Sequence, residues 1–300
     1  MTRTLFLSYA SMAAAMATVG STIVASKLMS QMPVFVAMVI RFGVASLLLV
    51  ILLLLLRKPL PRLASASWKL LLLQAVIGSV GYSALLMAGL TLTQAADASV
   101  IAGALPAMAT LLAVLVLRER PNVASWAAVG LATAGLIILQ LAAAPGPDAE
   151  SRWLGNGLVL LAVGCEAVFL LLNKRLAEPL DPLWTATLMS VFSLSLCLPL
   201  AAVQWLVGVT PILSPQGVAA AVYYALVPTT LGFWWWYLGS SRVSGTEAGI
   251  FTALFPVSGL LLSVALLGER VESRHWVGIS LTVLAIVVSA SLGRSPPASR

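Results

Sequence analysis

The sequence predicts an all-α polytopic membrane protein of ten transmembrane helices, built as a five-plus-five inverted-topology repeat around a central cavity. Three observations carry that expectation. Of the 300 residues 60% are apolar and 9% charged, with a mean hydropathy of +1.03. A soluble domain carries roughly 25% charged residues, so this chain cannot give itself a polar skin. Its apolar residues fall into ten long runs, each near the ~20 helical residues that cross a bilayer core. The chain also matches itself after a shift of 150 residues.

Breaking the runs at charges, prolines and glycine clusters gives spans over 4–26, 34–56, 68–92, 95–117, 123–142, 154–174, 182–208, 216–239, 244–267 and 274–293. Each must be helical, because hydrocarbon cannot satisfy free backbone groups. The first follows Arg3 as a secretory signal would. It outlasts an h-region and more spans follow it, so it is expected to be retained. In the third, Gly78, Gly81 and Gly89 surround Tyr82 and are expected to leave room beside it. The fourth and ninth carry Pro106 and Pro256 at mid-span; each frees a carbonyl and bends its helix. They also carry stripes of small residues, Ala95, Ser99 and Gly103 against Gly245, Gly249 and Ala253, a spacing that lets helix backbones approach. The eighth closes on Phe233-Trp234-Trp235-Trp236-Tyr237, whose rings point all round a helix.

Lys and Arg counts set the direction. With the N-terminus inside, the inner loops and ends hold twelve, from Arg3 to Arg300. The outer loops hold four (Lys27, Arg152, Arg270 and Arg274), and Arg41 lies within a span. The positive-inside bias therefore predicts that both termini are cytoplasmic. The net charge of +7 is explained by orientation rather than by nucleic acid. Asn122, Asn156 and Asn173 lack the hydroxyl of a glycosylation sequon two residues on, which agrees with a bacterial inner membrane.

Under the shift of 150, Ala98, Pro106, Leu111, Leu117, Glu119, Arg120 and Trp126 fall on Ala248, Pro256, Leu261, Leu267, Glu269, Arg270 and Trp276. The boundary between halves falls at 145/146, giving repeats over 1–145 and 146–300. Five spans is an odd number, so the second repeat enters the membrane upside down. That is the inverted repeat of secondary transporters, with a site at mid-depth that rocking exposes to either side.

The segments IAGALPAMATLLAVLVLRERP (101–121) and IFTALFPVSGLLLSVALLGERV (250–271), followed by Trp126 with Gly130 and Trp276 with Gly278, resemble the drug/metabolite transporter superfamily. Within it they are most similar to EamA-type members. The length and the aromatic-rich middle further resemble the YddG-type exporters of aromatic amino acids. The resemblance implies a basket of ten helices, with spans 1–4 and 6–9 around a cavity and spans 5 and 10 outside it. It also implies export of small amphipathic metabolites.

Five residues are candidates for substrate binding. Arg41 lies roughly 6 Å from the centre of its span. A charge at that depth costs about 2.5–3.5 kcal/mol on insertion scales, so it should face a wet cavity and could hold a carboxylate in its fork. Glu166, near the middle of span 6, could bind an ammonium group or carry a proton. Tyr82, Phe233 and Trp234 could wall a pocket for a flat substrate. Each has a plainer alternative: a snorkelling arginine, a neutral structural acid, a buried tyrosine, an interfacial belt. Asp97 and Glu247 read as acids that complement helix N-termini, and Lys27 as a snorkelling end residue.

No cofactor or metal site is expected. His275 is the sole histidine, Cys165 and Cys197 sit in apolar runs, and no lysine follows a phosphate-loop glycine pattern. The expected partners are a small-molecule substrate, the lipid bilayer, and protons as the candidate coupling ion, with no nucleic acid. The leading function is therefore a secondary transporter exporting aromatic or large neutral amino acids. Organic cations and sugar-phosphate or nucleotide-sugar cargo are the alternatives. The competing class is a membrane-embedded enzyme on lipid-linked substrates. It would need a catalytic cluster, and the intramembrane ionisable residues are Arg41 and Glu166 on separate spans, so no enzyme is expected.

Overall fold

The long apolar runs fold as helices in the computed structural model, which describes residues 3–118, 121–141, 149–173, 175–176, 180–209, 213–240, 248 and 250–292. The helices are α1 (Arg3–Met29), α2 (Val34–Leu55), α3 (Ser65–Gln74), α4 (Tyr82–Leu92), α5 (Ala95–Ala102), α6 (Leu105–Leu117), α7 (Val123–Leu141), α8 (Ala149–Asn173), α9 (Pro182–Leu206), α10 (Pro215–Tyr224), α11 (Phe233–Ser240), α12 (Leu254–Leu267) and α13 (Ser273–Leu292). A π-helical stretch at Ala75–Gly81 joins α3 to α4, and another at Ala225–Gly232 joins α10 to α11. No strand occurs among the described residues. The chain is thus an all-α polytopic membrane protein.

Eight described helices are long and apolar enough to cross a bilayer, and nine if α5 and α6 count as one bent span. Ten are not counted among the described residues: α12 has 14 residues, and the start of the expected ninth span, 244–267, lies outside them. Residues 241–247 and 249, including Gly245, Glu247 and Gly249, lie outside the described residues. The expected span 95–117 is two helices inclined by 48°. The break falls at Gly103–Ala104, just ahead of Pro106, which has no N–H to donate to the Ala102 carbonyl. A turn at Thr252–Ala253 precedes α12 and Pro256 in the same way.

Close helix packing holds the bundle together. α4 lies along α8 and α1 along α12. A Cβ on Gly89 would stand 2.8 Å from the Gly155 carbonyl oxygen, and one on Gly20 2.6 Å from the Phe255 carbonyl oxygen. Neither position admits a side chain, because backbone fills the space. α7 and α13 pack along each other. α6 ends at Arg118 (φ 55) and α12 at Gly268 (φ 67), both left-handed caps and 150 residues apart. Glycine takes that conformation without strain; arginine does not.

Candidate functional site

The two π-helical stretches, with α1, α2, α8 and the breaks before α6 and α12, enclose a cavity of about 470 Å³. Six pairs of its lining residues stand 150 positions apart: Met16 and Glu166, Gly78 and Pro228, Ser79 and Thr229, Tyr82 and Gly232, Ala102 and Thr252, Leu105 and Phe255. The positions match while the chemistry differs. A π-turn inserts a residue into a helix and re-aims the side chains beyond it, and such turns cluster at functional sites.

Arg41 faces this cavity and does not snorkel. Its Nη1 donates to Ser83 Oγ at 2.9 Å. Its guanidinium carbon lies 3.5 Å from the Tyr224 ring centroid and 4.6 Å from that of Phe42. Stacking on Tyr224 fixes the plane of the fork, and Ser83 fixes one edge. Its buried Nε has no hydrogen-bond partner among the described residues. Glu166 lines the same cavity. The two make no ion pair among the described residues. The cavity therefore offers one guanidinium and one carboxylate that do not neutralise each other by contact.

Tyr82 also lines the cavity, but not because the glycines near it leave room. A Cβ on Gly78 would collide with the Phe169 side chain, and one on Gly89 would stand 2.8 Å from Val159 Cγ2. α8 occupies the space that the missing side chains open. Trp234 is placed elsewhere. It is 52% exposed and borders a peripheral pocket beside Leu49, Leu238 and the Lys58–Asp181 pair. Trp236 lines the cavity instead. The reason is spacing: Tyr224, Pro228, Gly232 and Trp236 recur every four residues on the inner face, and Trp234 is half a turn away. The side chain of Phe233 lies outside the described residues. Ser83, Tyr224, Trp236 and Phe255 were not expected in the site. Phe255 stands 150 positions from Leu105, but the sequence singled out neither, and no signal pointed to Tyr224.

A second polar cluster lies where α1 ends and α5 begins. Glu269, on the α12–α13 connection, accepts from the backbone N–H groups of Ala95 (2.9 Å) and Ala96 (2.7 Å). Those are orphan donors of the first turn of α5. Asp97 is fully buried. Its Oδ1 accepts from His275 Nε2 at 2.7 Å and forms an ion pair with Arg274 Nη1 at 3.1 Å. The Glu272 N–H donates to His275 Nδ1, which leaves the ring proton on Nε2, facing Asp97. Arg274 also donates to the Leu139 carbonyl and to Glu272. Lys27 donates to the carbonyls of Leu90 and Thr93, at the C-terminal end of α4. Asp97 and Lys27, expected as simple helix-end charges, are thus parts of a buried network. No metal-holding group of His, Cys, Asp and Glu occurs among the described residues.

A larger cavity, about 550 Å³, opens between α7 and α8 and is lined by Leu136, Ile137, Leu141 and Leu160 with Gln140 and Asn156. It holds no ionisable group, and Ile137, Leu141 and Trp153 on its rim are exposed. In a membrane that face meets hydrocarbon.

Comparison with known proteins gives a consistent picture. The model of the EamA-like transporter family matches residues 6–141 and 153–291. The chain is 34% identical, over 97% of its length and 88% of the relative's, to the "Uncharacterized transporter YetK" of Bacillus subtilis (strain 168). It is 28% identical to the "Uncharacterized transporter YwfM" of the same strain, over 76% of this chain and 75% of that one. A protein of known crystal structure superposes with a TM-score of 0.62 at 18% identity, covering 96% of this chain and 97% of the other. That likeness is one of fold.

Proposed function

The chain belongs to the EamA-like transporter family, and from that premise we propose that it is a secondary transporter exporting aromatic or large neutral amino acids by alternating access. The observation that carries this reading is the pairing of charge and rings in one cavity. Arg41 and Glu166 share it with Tyr82, Tyr224, Trp236 and Phe255. A zwitterion brings one carboxylate for the guanidinium and one ammonium for the carboxylate. Burying its flat side chain is worth roughly 1.5–3 kcal/mol. A phosphorylated substrate would bring two negative charges to a single arginine and leave charge unmatched in a dry site. The YddG-type resemblance points to the same substrates.

The inverted repeat is part of the proposal. Its support is the recurrence at 150 residues of the π-stretches, the left-handed caps and six lining pairs. With Lys and Arg concentrated on one side, we place both termini in the cytoplasm of a bacterial cell, and the protein in its inner membrane. Glu166 is the candidate proton carrier. A second reading, export of flat organic cations, is favoured by Glu166, which makes no ion pair among the described residues and sits with aromatic walls.

The test is transport in proteoliposomes, with radiolabelled phenylalanine, leucine, an aromatic monoamine and a sugar phosphate, each with and without a pH gradient. Saturable transport of phenylalanine and leucine is expected. Transport of the monoamine without the amino acids selects the second reading, and transport of the sugar phosphate alone rejects both.

A further inference from the structure

The cavity and the polar cluster differ in depth. Thr22, Arg41 and Ala102 are the lining residues nearest the Lys27 end of the bundle. Each lies seven residues from its helix terminus, at Met29, Val34 or Ala95, or about 10 Å deep at 1.5 Å per residue. At the opposite end Leu170 lines the cavity three residues short of Asn173, the last of α8. Along α8 the void therefore comes within about one turn of the helix end, while roughly two helical turns close the Lys27 end.

What closes it is held by charge from both halves of the chain. The α4–α5 corner at Thr93–Gln94 stands between a cation and an anion. Lys27 binds the last carbonyls of α4, and Glu269 binds the first N–H groups of α5. Both complement the helix ends that they meet. Just inside, Asp97 of the first half meets Arg274 and His275 of the second. Deeper still, Ser99 is fully buried against Gly259 of α12.

We propose that this set is the gate latch of the transporter, with Glu269 as the positioning residue whose release opens the Lys27 end. It sits on a non-helical connection and is half-buried. Ala95 and Ala96 are fully buried beneath it, so the two N–H groups that it leaves find water only as the joint parts, and release and opening go together. Release lets the ends of α5 and α12 separate, and Ser99 comes within reach of solvent. The inference rests on the transport reading but on no choice of substrate.

The experiment replaces Cys165 and Cys197 by Ala and compares two single-cysteine reporters, Ser99→Cys and Leu170→Cys, in nanodiscs without substrate. Each is labelled with a charged methanethiosulfonate, with Glu269 native or as Glu269→Gln. The glutamine turns an amide NH₂ toward a backbone N–H, so one of the two bonds becomes a repulsion. The expected result is reciprocal. Labelling at Ser99→Cys rises about tenfold, the shift expected when a hydrogen bond to a charged group is lost, while labelling at Leu170→Cys falls. Glu269→Asp, a milder variant, gives an intermediate shift. A rise at both reporters means general loosening and overturns the proposal; no change at either makes the cluster a static joint and overturns it too. Because nothing is transported in this assay, its failure is separate from failure of the amino-acid reading.

Discussion

Two sets of charge lie at different depths inside this bundle, and they differ in how far they are satisfied. At the Lys27 end the acceptors and donors close on one another: Asp97 on Arg274 and His275, Glu269 on two backbone N–H groups, Lys27 on two carbonyls. In the cavity Arg41 keeps one bond, to Ser83, and a buried Nε without a partner among the described residues, while Glu166 stands apart from it. A charge inside a membrane protein is costly wherever it lies. The closed set meets that cost with protein groups and is a fastening. The open set leaves room for a ligand to meet it.

The comparison breaks most visibly at Asp97. Removing one partner of a buried ion pair costs about 3–5 kcal/mol, because the other is left unmatched. Asp97→Asn should therefore lower the thermal midpoint of the detergent-solubilised protein by many degrees, because the buried Arg274 loses the negative charge that it is paired with. Arg41→Gln removes a charge that the fold has only partly bonded, so its midpoint should stay near the native one. A large drop for Arg41→Gln and none for Asp97→Asn would reverse the assignment of fastening and site.

Function should divide the other way. Arg41→Gln is expected to raise the transport KM for phenylalanine by roughly 10–100-fold, the equivalent of one charge-assisted hydrogen bond. It should matter much less for the decarboxylated monoamine. Glu166→Gln should flatten the dependence of transport on pH while substrate still binds. If both variants transport as the native protein does, across pH and substrates, the open set has no ligand to hold.

The aromatic walls sharpen the same contrast within one helix. Trp236→Ala should weaken phenylalanine binding by about tenfold, the loss expected for a ring contact and its buried area. Trp234→Ala, on the outward face, should leave the KM within about twofold, as expected for a side chain outside the site. Equal effects would place the substrate outside the cavity.

How far all this is legible in the sequence depends on what kind of signal each feature leaves. Helical class and membrane residence follow from apolar content, which every span repeats. Arg41, Glu166 and Tyr82 stand out because a polar group in an apolar run is conspicuous, and all three line the cavity. The π-turn at Ala75–Gly81 leaves no such mark. Its partner at Ala225–Gly232 contains Pro228, yet a proline alone does not announce an inserted residue. The face of the aromatic run could be fixed only by knowing which residues of α10 point inward. The Asp97–Arg274–His275 contact joins residues more than 170 positions apart. Asp97 looked like an ordinary helix-end charge, Arg274 counted only toward orientation and His275 only against a metal site, since sequence shows the charge and not its partner.

The smallest effect concerns a third pair, which belongs to neither set. Lys58 Nζ lies 2.7 Å from Asp181 Oδ2 at the end of the bundle opposite Lys27, with side chains 40% and 35% exposed. Asp181 also caps α9, accepting from the Leu183 N–H. The Lys58 hydrogen bond, aided by the Leu183 N–H and opposed by desolvation, holds the carboxyl below the usual aspartate range. The sign follows from linkage. A depressed folded-state value means that the stabilisation is fully present above the unfolded pKa of about 3.9 and disappears as pH falls through the folded one. Water screens a pair this exposed, so its worth is about 0.2–1 kcal/mol. Asp181→Asn should thus lower the thermal midpoint slightly at pH 7, by less in high salt, and the gap should shrink as pH falls below 4. Asparagine still accepts at the cap, so the salt-sensitive part isolates the ion pair. A gap that is large, or that persists unchanged at low pH, would show that this pair is fastened like Asp97 and that exposure is a poor guide to which charges hold the bundle.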